Sequence, residues 1–114
     1  INTAGPGMLI DISRRKPILG AKRGGVSGPA IKPIAVRCVY DIYEAVKIPI
    51  IGMGGVSTWE DVIEMMMAGA TLVGVGSATY FKGYGVYQEI KQGLIAYMEK
   101  EGINNLKELV GVAH

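Results

Sequence analysis

The sequence predicts an α/β fold built on parallel strands, and two glycine-terminated apolar runs carry that prediction. Ile50-Ile51-Gly52-Met53-Gly54-Gly55 and Leu72-Val73-Gly74-Val75-Gly76-Ser77 are both short, and each leads into helix-favouring sequence. Strands apolar at every position are expected to be buried on both faces, as in a parallel sheet covered by helices. Gly74 follows Gly52 by 22 residues, about the length of one compact strand-helix repeat.

Composition narrows the class. The 114 residues are 49% hydrophobic, ample for a core and too apolar for a disordered chain. Twelve basic and ten acidic residues leave a charge of +2 spread along the chain, so no nucleic-acid groove is indicated. Arg14-Arg15-Lys16 and Lys22-Arg23 form one local basic segment, read as solvated surface flanking a loop. A single cysteine excludes an internal disulfide and any cysteine-pair metal site, and it suits a reducing, cytoplasmic compartment. No apolar run approaches the ~20 residues of a membrane span, so no membrane role is expected. A chain opening on Ile1-Asn2-Thr3 without a signal peptide reads as a piece of a longer one.

Along the chain, residues 1–28 are rich in glycine and proline and read as loop, with Ile1 as a possible strand end. Within them Met8–Ile12 can pair briefly with Pro17–Leu19. Gly24-Gly25-Val26-Ser27-Gly28-Pro29 then supplies permissive backbone and a proline suited to a first helical turn. The helix that follows carries Ile31, Ile34, Ala35, Cys38, Val39, Ile42, Ala45 and Val46 at three-and-four spacing, one buried stripe. Cys38 lies inside the stripe and reads as core filler rather than a nucleophile.

After the strand at Ile48–Ile51, Ser57-Thr58-Trp59-Glu60 suggests a capping box opening a helix that runs through Val62, Met65 and Met66 to a stop at Gly69. Thr71–Val75 is the second strand. Gly76–Phe81 predicts a short helix, and Val86, Ile90, Leu94, Tyr97 and Met98 mark one face of a longer one. Asn104 or Asn105 caps a last short helix carrying Leu106, Leu109 and Val110. Two or three parallel strands cannot close a barrel. An eight-stranded barrel takes ~250 residues, so the expectation is the carboxyl-terminal part of a TIM (β/α)8 barrel, about its last three strand-helix units.

The chemistry lies at the strand ends. Gly54, Gly55 and Gly76 expose main-chain amides that a side chain would block, and Ser77 adds a hydroxyl, an arrangement suited to a phosphate. Asn2 and Thr3, at the end of a preceding strand, offer donors and acceptors for a planar imide or a carboxylate. His114 reads as a frayed terminus without a role. No triad, metal cluster or carboxylate pair is present.

Taken together, Ile1-Asn2-Thr3, the segment from Gly24 to Pro33, Pro49–Val56, Ala68-Gly69-Ala70 and Val75–Ala78 resemble the carboxyl-terminal part of dihydroorotate dehydrogenase. The likeness is closest to the class I enzymes of the NAD-linked branch. The resemblance implies that residues 1–114 belong to a single FMN-binding barrel domain that oxidises dihydroorotate to orotate in pyrimidine (UMP) synthesis. It implies that Asn2 and Thr3 bind the pyrimidine, that Ile1 and Gly28 approach the flavin, and that Gly54, Gly55, Gly76 and Ser77 hold its phosphate. Ser77 stands where relatives commonly carry threonine. The partners implied are a second copy in a homodimer and an iron-sulfur/FAD electron-transfer subunit in a heterotetramer. The family's catalytic base, a cysteine, lies upstream of this chain, and Cys38 does not match it, so the fragment alone is expected to be inactive. The alternatives are another FMN barrel oxidoreductase, such as a dihydropyrimidine dehydrogenase, or a standalone half-barrel binding and assembly module.

Overall fold

The computed structural model describes all residues, 1–114. It opens with two antiparallel pairs: β1 (Ala4–Gly7) with β4 (Gly24–Val26), and between them β2 (Ile10–Asp11) with β3 (Lys16–Pro17). The inner pair is the short one expected, in the register Ile10 opposite Pro17. Its turn is held by Asp11, whose Oδ1 accepts from the Ser13 and Arg14 amides at 3.0 and 2.9 Å. The outer pair corrects the reading of this region as loop. Its register slips between Ala4–Val26 and Gly7–Gly24, a step that includes Pro6, which has no amide to give the ladder.

A 3-10 turn (Pro29–Ile31) then leads into α1 (Lys32–Ala45), with prolines in the first turns where an amide is dispensable. Ile31, Ala35 and Val39 of the predicted stripe are buried, but Ile34 and Ile42 are 45% and 46% exposed. The spacing therefore marked a wider apolar face than this chain covers. Cys38 is half-buried, with the Arg37 guanidinium 3.6 Å from its sulfur.

Next come β5 (Ile51–Met53), α2 (Trp59–Met67) and β6 (Leu72–Gly74). The two strands pair in parallel, Ile51 opposite Leu72, Gly52 opposite Val73 and Met53 opposite Gly74. The expected strand-helix-strand unit is therefore present. Burial on both faces is not: Ile51 and Leu72 are 64% and 63% exposed. Alternation explains the difference, because Gly52 faces the helices while Ile51 and Leu72 project from the opposite side, which no helix of this chain covers.

The cap of α2 is shifted one residue from the expected one. Thr58 is the N-cap and Asp61 the reciprocating acid, so the box is Thr58/Asp61 rather than Ser57/Glu60. The short helix α3 (Ser77–Lys82) and the long α4 (Gly85–Glu101) follow as anticipated, and Asn105 caps a final 3-10 turn, Leu106–Leu109. Val62, Ile63, Met65 and Met66 of α2, with Val86 and Ile90 of α4, Val39 of α1 and Leu109, form one core. Trp59 packs against Gly93 of α4, where a side chain would collide with the indole ring.

His114 corrects the expectation of a frayed end. Its ring stacks on Tyr40 at 3.8 Å between centroids, and Nε2 lies 3.1 Å from the Ala68 carbonyl. Backbone bonds from Gly111 to the Met66 carbonyl and from Ala113 to the Met67 carbonyl lay the tail along α2. No helix is long and apolar enough to cross a membrane.

Candidate phosphate and ring-binding site

The end of β5, the turn before α1 and the start of α3 converge on one place. Gly54 and Gly55 are buried and have φ of 130° and 75°, a region that side chains disfavour. A Cβ on Gly54 would overlap the Ile1 carbonyl oxygen and stand 2.7 Å from the Ala35 Cβ. One on Gly55 would stand 2.8 Å from the Gly28 carbonyl oxygen and 2.9 Å from the Lys32 nitrogen. Gly28, also buried and with φ of 96°, lies across from Ser77, whose Oγ is 3.7 Å from the position of its absent Cβ. The glycines thus serve close backbone approach between segments far apart in sequence, and do not merely end strands.

Ile1, Gly28, Gly54, Gly55 and Ser77 are brought together in this way. Gly76, next to Ser77, is exposed, and a side chain there would meet nothing within 4 Å. Asn2 is exposed and sits between two held neighbours: the Ile1 carbonyl against Gly54, and Thr3 against Gly25, where a Cβ would come within 3.1 Å of the Thr3 Cβ.

The strand ends are braced from the α3 side. Thr79 donates to the Tyr87 hydroxyl at 3.0 Å, and that hydroxyl donates to the Val75 carbonyl at 3.3 Å. Lys82 of α3 donates to the Ser57 carbonyl at 3.2 Å, joining the loop after β5 to the helix after β6. The space beside Gly54 and Gly55 is taken up by neighbouring protein atoms, so a side chain at either would push these segments apart.

Lys32 and Asp61 were not anticipated as part of this region. The Lys32 ammonium bonds Asp61 Oδ1 at 2.7 Å and Glu64 Oε2 at 2.6 Å. Asp61 Oδ2 accepts from the Ser57 and Thr58 amides at 2.8 and 3.0 Å. The sequence signal was faint: a lysine one turn into a proline-started helix and an acid three residues after a threonine. Burial pushes the Asp61 carboxyl up, but the Lys32 ammonium and the two amides outweigh it and hold it below the usual carboxylate range. Hydrogen bonds to Asp61 and Glu64 hold the Lys32 ammonium above its usual value despite some desolvation.

The sign of the pH dependence follows. A depressed carboxyl stabilises the fold above its unfolded pKa and loses that contribution as pH falls through its folded value, below about pH 4. A raised lysine contributes fully below its ordinary value and loses that stability as pH rises through the raised one, above about pH 10. Urea midpoints measured across pH are expected to fall at both extremes, and Asp61→Asn is expected to flatten the acid limb.

The sequence profile described as dihydroorotate dehydrogenase matches residues 1–98. The chain is 51% identical over its full length to a Methanosarcina mazei protein named "Dihydroorotate dehydrogenase B (NAD(+)), catalytic subunit" and 53% identical to one of the same name from Methanothermobacter thermautotrophicus. It spans 36% and 38% of those relatives' lengths. Ligand-free DHODH from Eimeria tenella superposes with a TM-score of 0.78 at 27% identity, covering 99% of this chain and 32% of that one. With a profile match over most of its length and a shared backbone path, the chain belongs to the dihydroorotate dehydrogenase family.

Proposed function

We propose that residues 1–114 are the carboxyl-terminal part of one FMN-binding barrel domain, about its last three strand-helix units, in a dihydroorotate dehydrogenase. The observation that carries this reading is the close approach of Gly55 to Gly28, of Gly28 to Ser77 and of Gly54 to the Ile1 carbonyl. Gly54, Gly55, Gly76 and Ser77 would hold the phosphate of FMN, with Gly28 and Ile1 beside the flavin. Asn2 and Thr3 would bind the pyrimidine ring of dihydroorotate through its imide and carboxylate. Oxidising a CH–CH bond requires a two-electron acceptor, the chemistry that FMN supplies when bound. In this reading the chain's own residues orient and hold, and the proton-abstracting base is assigned to preceding sequence.

The relatives' names support an NAD-linked enzyme and, through "catalytic subunit", a second kind of subunit. We assign that partner as an iron-sulfur/FAD electron-transfer protein, in an assembly built on a homodimer in the cytoplasm. The experiment is purification of the complete polypeptide. It should carry FMN, oxidise dihydroorotate, and show a flavin spectrum that orotate perturbs. A colourless protein that does not take up FMN would refute the reading. Retained flavin without an orotate response would move it to another FMN oxidoreductase.

The exposed Ile51 and Leu72 favour a second reading, a half-barrel module that buries this open face by self-association. Native mass measurement separates the two, because a longer polypeptide excludes the standalone module.

A further inference from the structure

One carboxylate connects the segments that meet at Gly28, Gly54 and Gly55. Asp61 uses Oδ2 to fix the loop after β5, through the Ser57 and Thr58 amides, and Oδ1 to hold Lys32 at the start of α1. Capping α2 requires only the first of these. Lys32 is also the residue whose backbone nitrogen and Cβ crowd Gly55, together with the carbonyl of Gly28. The Ser57 carbonyl is in turn held by Lys82 of α3, the helix that begins at Ser77. Both oxygens of Asp61 are thereby committed, and its side chain is only 13% exposed.

We propose that Asp61 is a positioning residue for phosphate binding: by joining the Ser57-Thr58 loop to Lys32, it sets the separation of the Gly54-Gly55 and Gly28 walls of the site. The inference rests on the phosphate reading of the site. It differs from a plain stability role because the residue fixes the loop that follows Gly54-Gly55, the wall that would hold the phosphate, against the start of α1. Glu64 is an internal control. It binds the same ammonium at 2.6 Å but makes no bond to the loop.

The test compares FMN with riboflavin, which lacks the phosphate, binding to the full-length protein freed of flavin and followed by flavin fluorescence. The wild type should prefer FMN. Asp61→Asn keeps the size of the side chain but loses the charge that holds Lys32, and should reduce that preference about tenfold, the equivalent of one charge-assisted hydrogen bond. Asp61→Glu should restore most of the preference, since glutamate at this position also closes a capping box. Glu64→Gln should leave the preference within about twofold, the scale expected for a half-exposed pair.

If Asp61→Asn does not fold, Lys32→Met carries the same test, because it leaves the loop bonds in place and cuts only the connection to α1. Equal losses of FMN and riboflavin affinity in the folded variant would overturn the proposal, as would a Glu64→Gln effect as large as that at Asp61. A wild type that binds both flavins equally would instead overturn the phosphate reading, before any variant is made.

Discussion

Alanine at Gly54 is expected to empty the site of flavin and to lower stability. Two costs coincide there. The φ of 130° strains any L side chain, worth about 1–3 kcal/mol. The added carbon also has no free volume, because it overlaps the Ile1 carbonyl oxygen and crowds the Ala35 Cβ, an overpacking cost of about 1–3 kcal/mol more. Relief requires the Ile1–Thr3 segment to move away from β5, which separates the residues proposed to hold flavin and pyrimidine. Equilibrium dialysis against FMN and urea denaturation measure the two effects independently. Gly76→Ala is the matched control: a Cβ there meets nothing within 4 Å, so stability should change by less than about 1 kcal/mol. A Gly54→Ala protein with wild-type FMN retention would remove the basis for the site.

Alanine at Met65 should give the opposite balance, a large loss of stability with a smaller direct effect on the cofactor. Met65 is fully buried in α2, and its sulfur would lie 3.2 Å from a Cβ on Gly52. Gly52 is thus the position at which helix and strand approach closely enough for this side chain to seat. Truncation removes the thioether from the middle of the core and leaves a cavity, at a cost of about 2–5 kcal/mol. Denaturation midpoints with an unchanged dependence on urea concentration should report it. A loss under about 1 kcal/mol would mean that α2 can settle onto the strand and that the packing is looser than the structure has it.

What could be read from the sequence followed from how local its causes are. The pairing of β5 with β6 was legible because an apolar run closed by glycine, then a helix, then a second such run leaves few other arrangements. The capping motif was recognised but misplaced by one residue, since Ser57 and Thr58 can both cap and only the turn geometry decides between them. The β1–β4 pair was missed because Ala4–Gly7 and Gly24–Val26 are poor strand formers held by a partner distant in sequence. His114 was misread because a terminal residue is ordinarily free, and nothing local reveals that Tyr40 awaits it. Of the site, the glycines announced themselves. Lys32 and Asp61 did not, because an ion pair between two helices depends on how those helices come to lie together.

The meeting of the Ile1 carbonyl with Gly54 has a kinetic consequence. Its two sides are separated by almost half the chain, and a contact of that sequence separation forms only after the intervening loops and α1 have been organised. Uptake of a phosphate-bearing ligand should therefore lag behind helix formation during refolding, so that ligand capture times the last step of assembly.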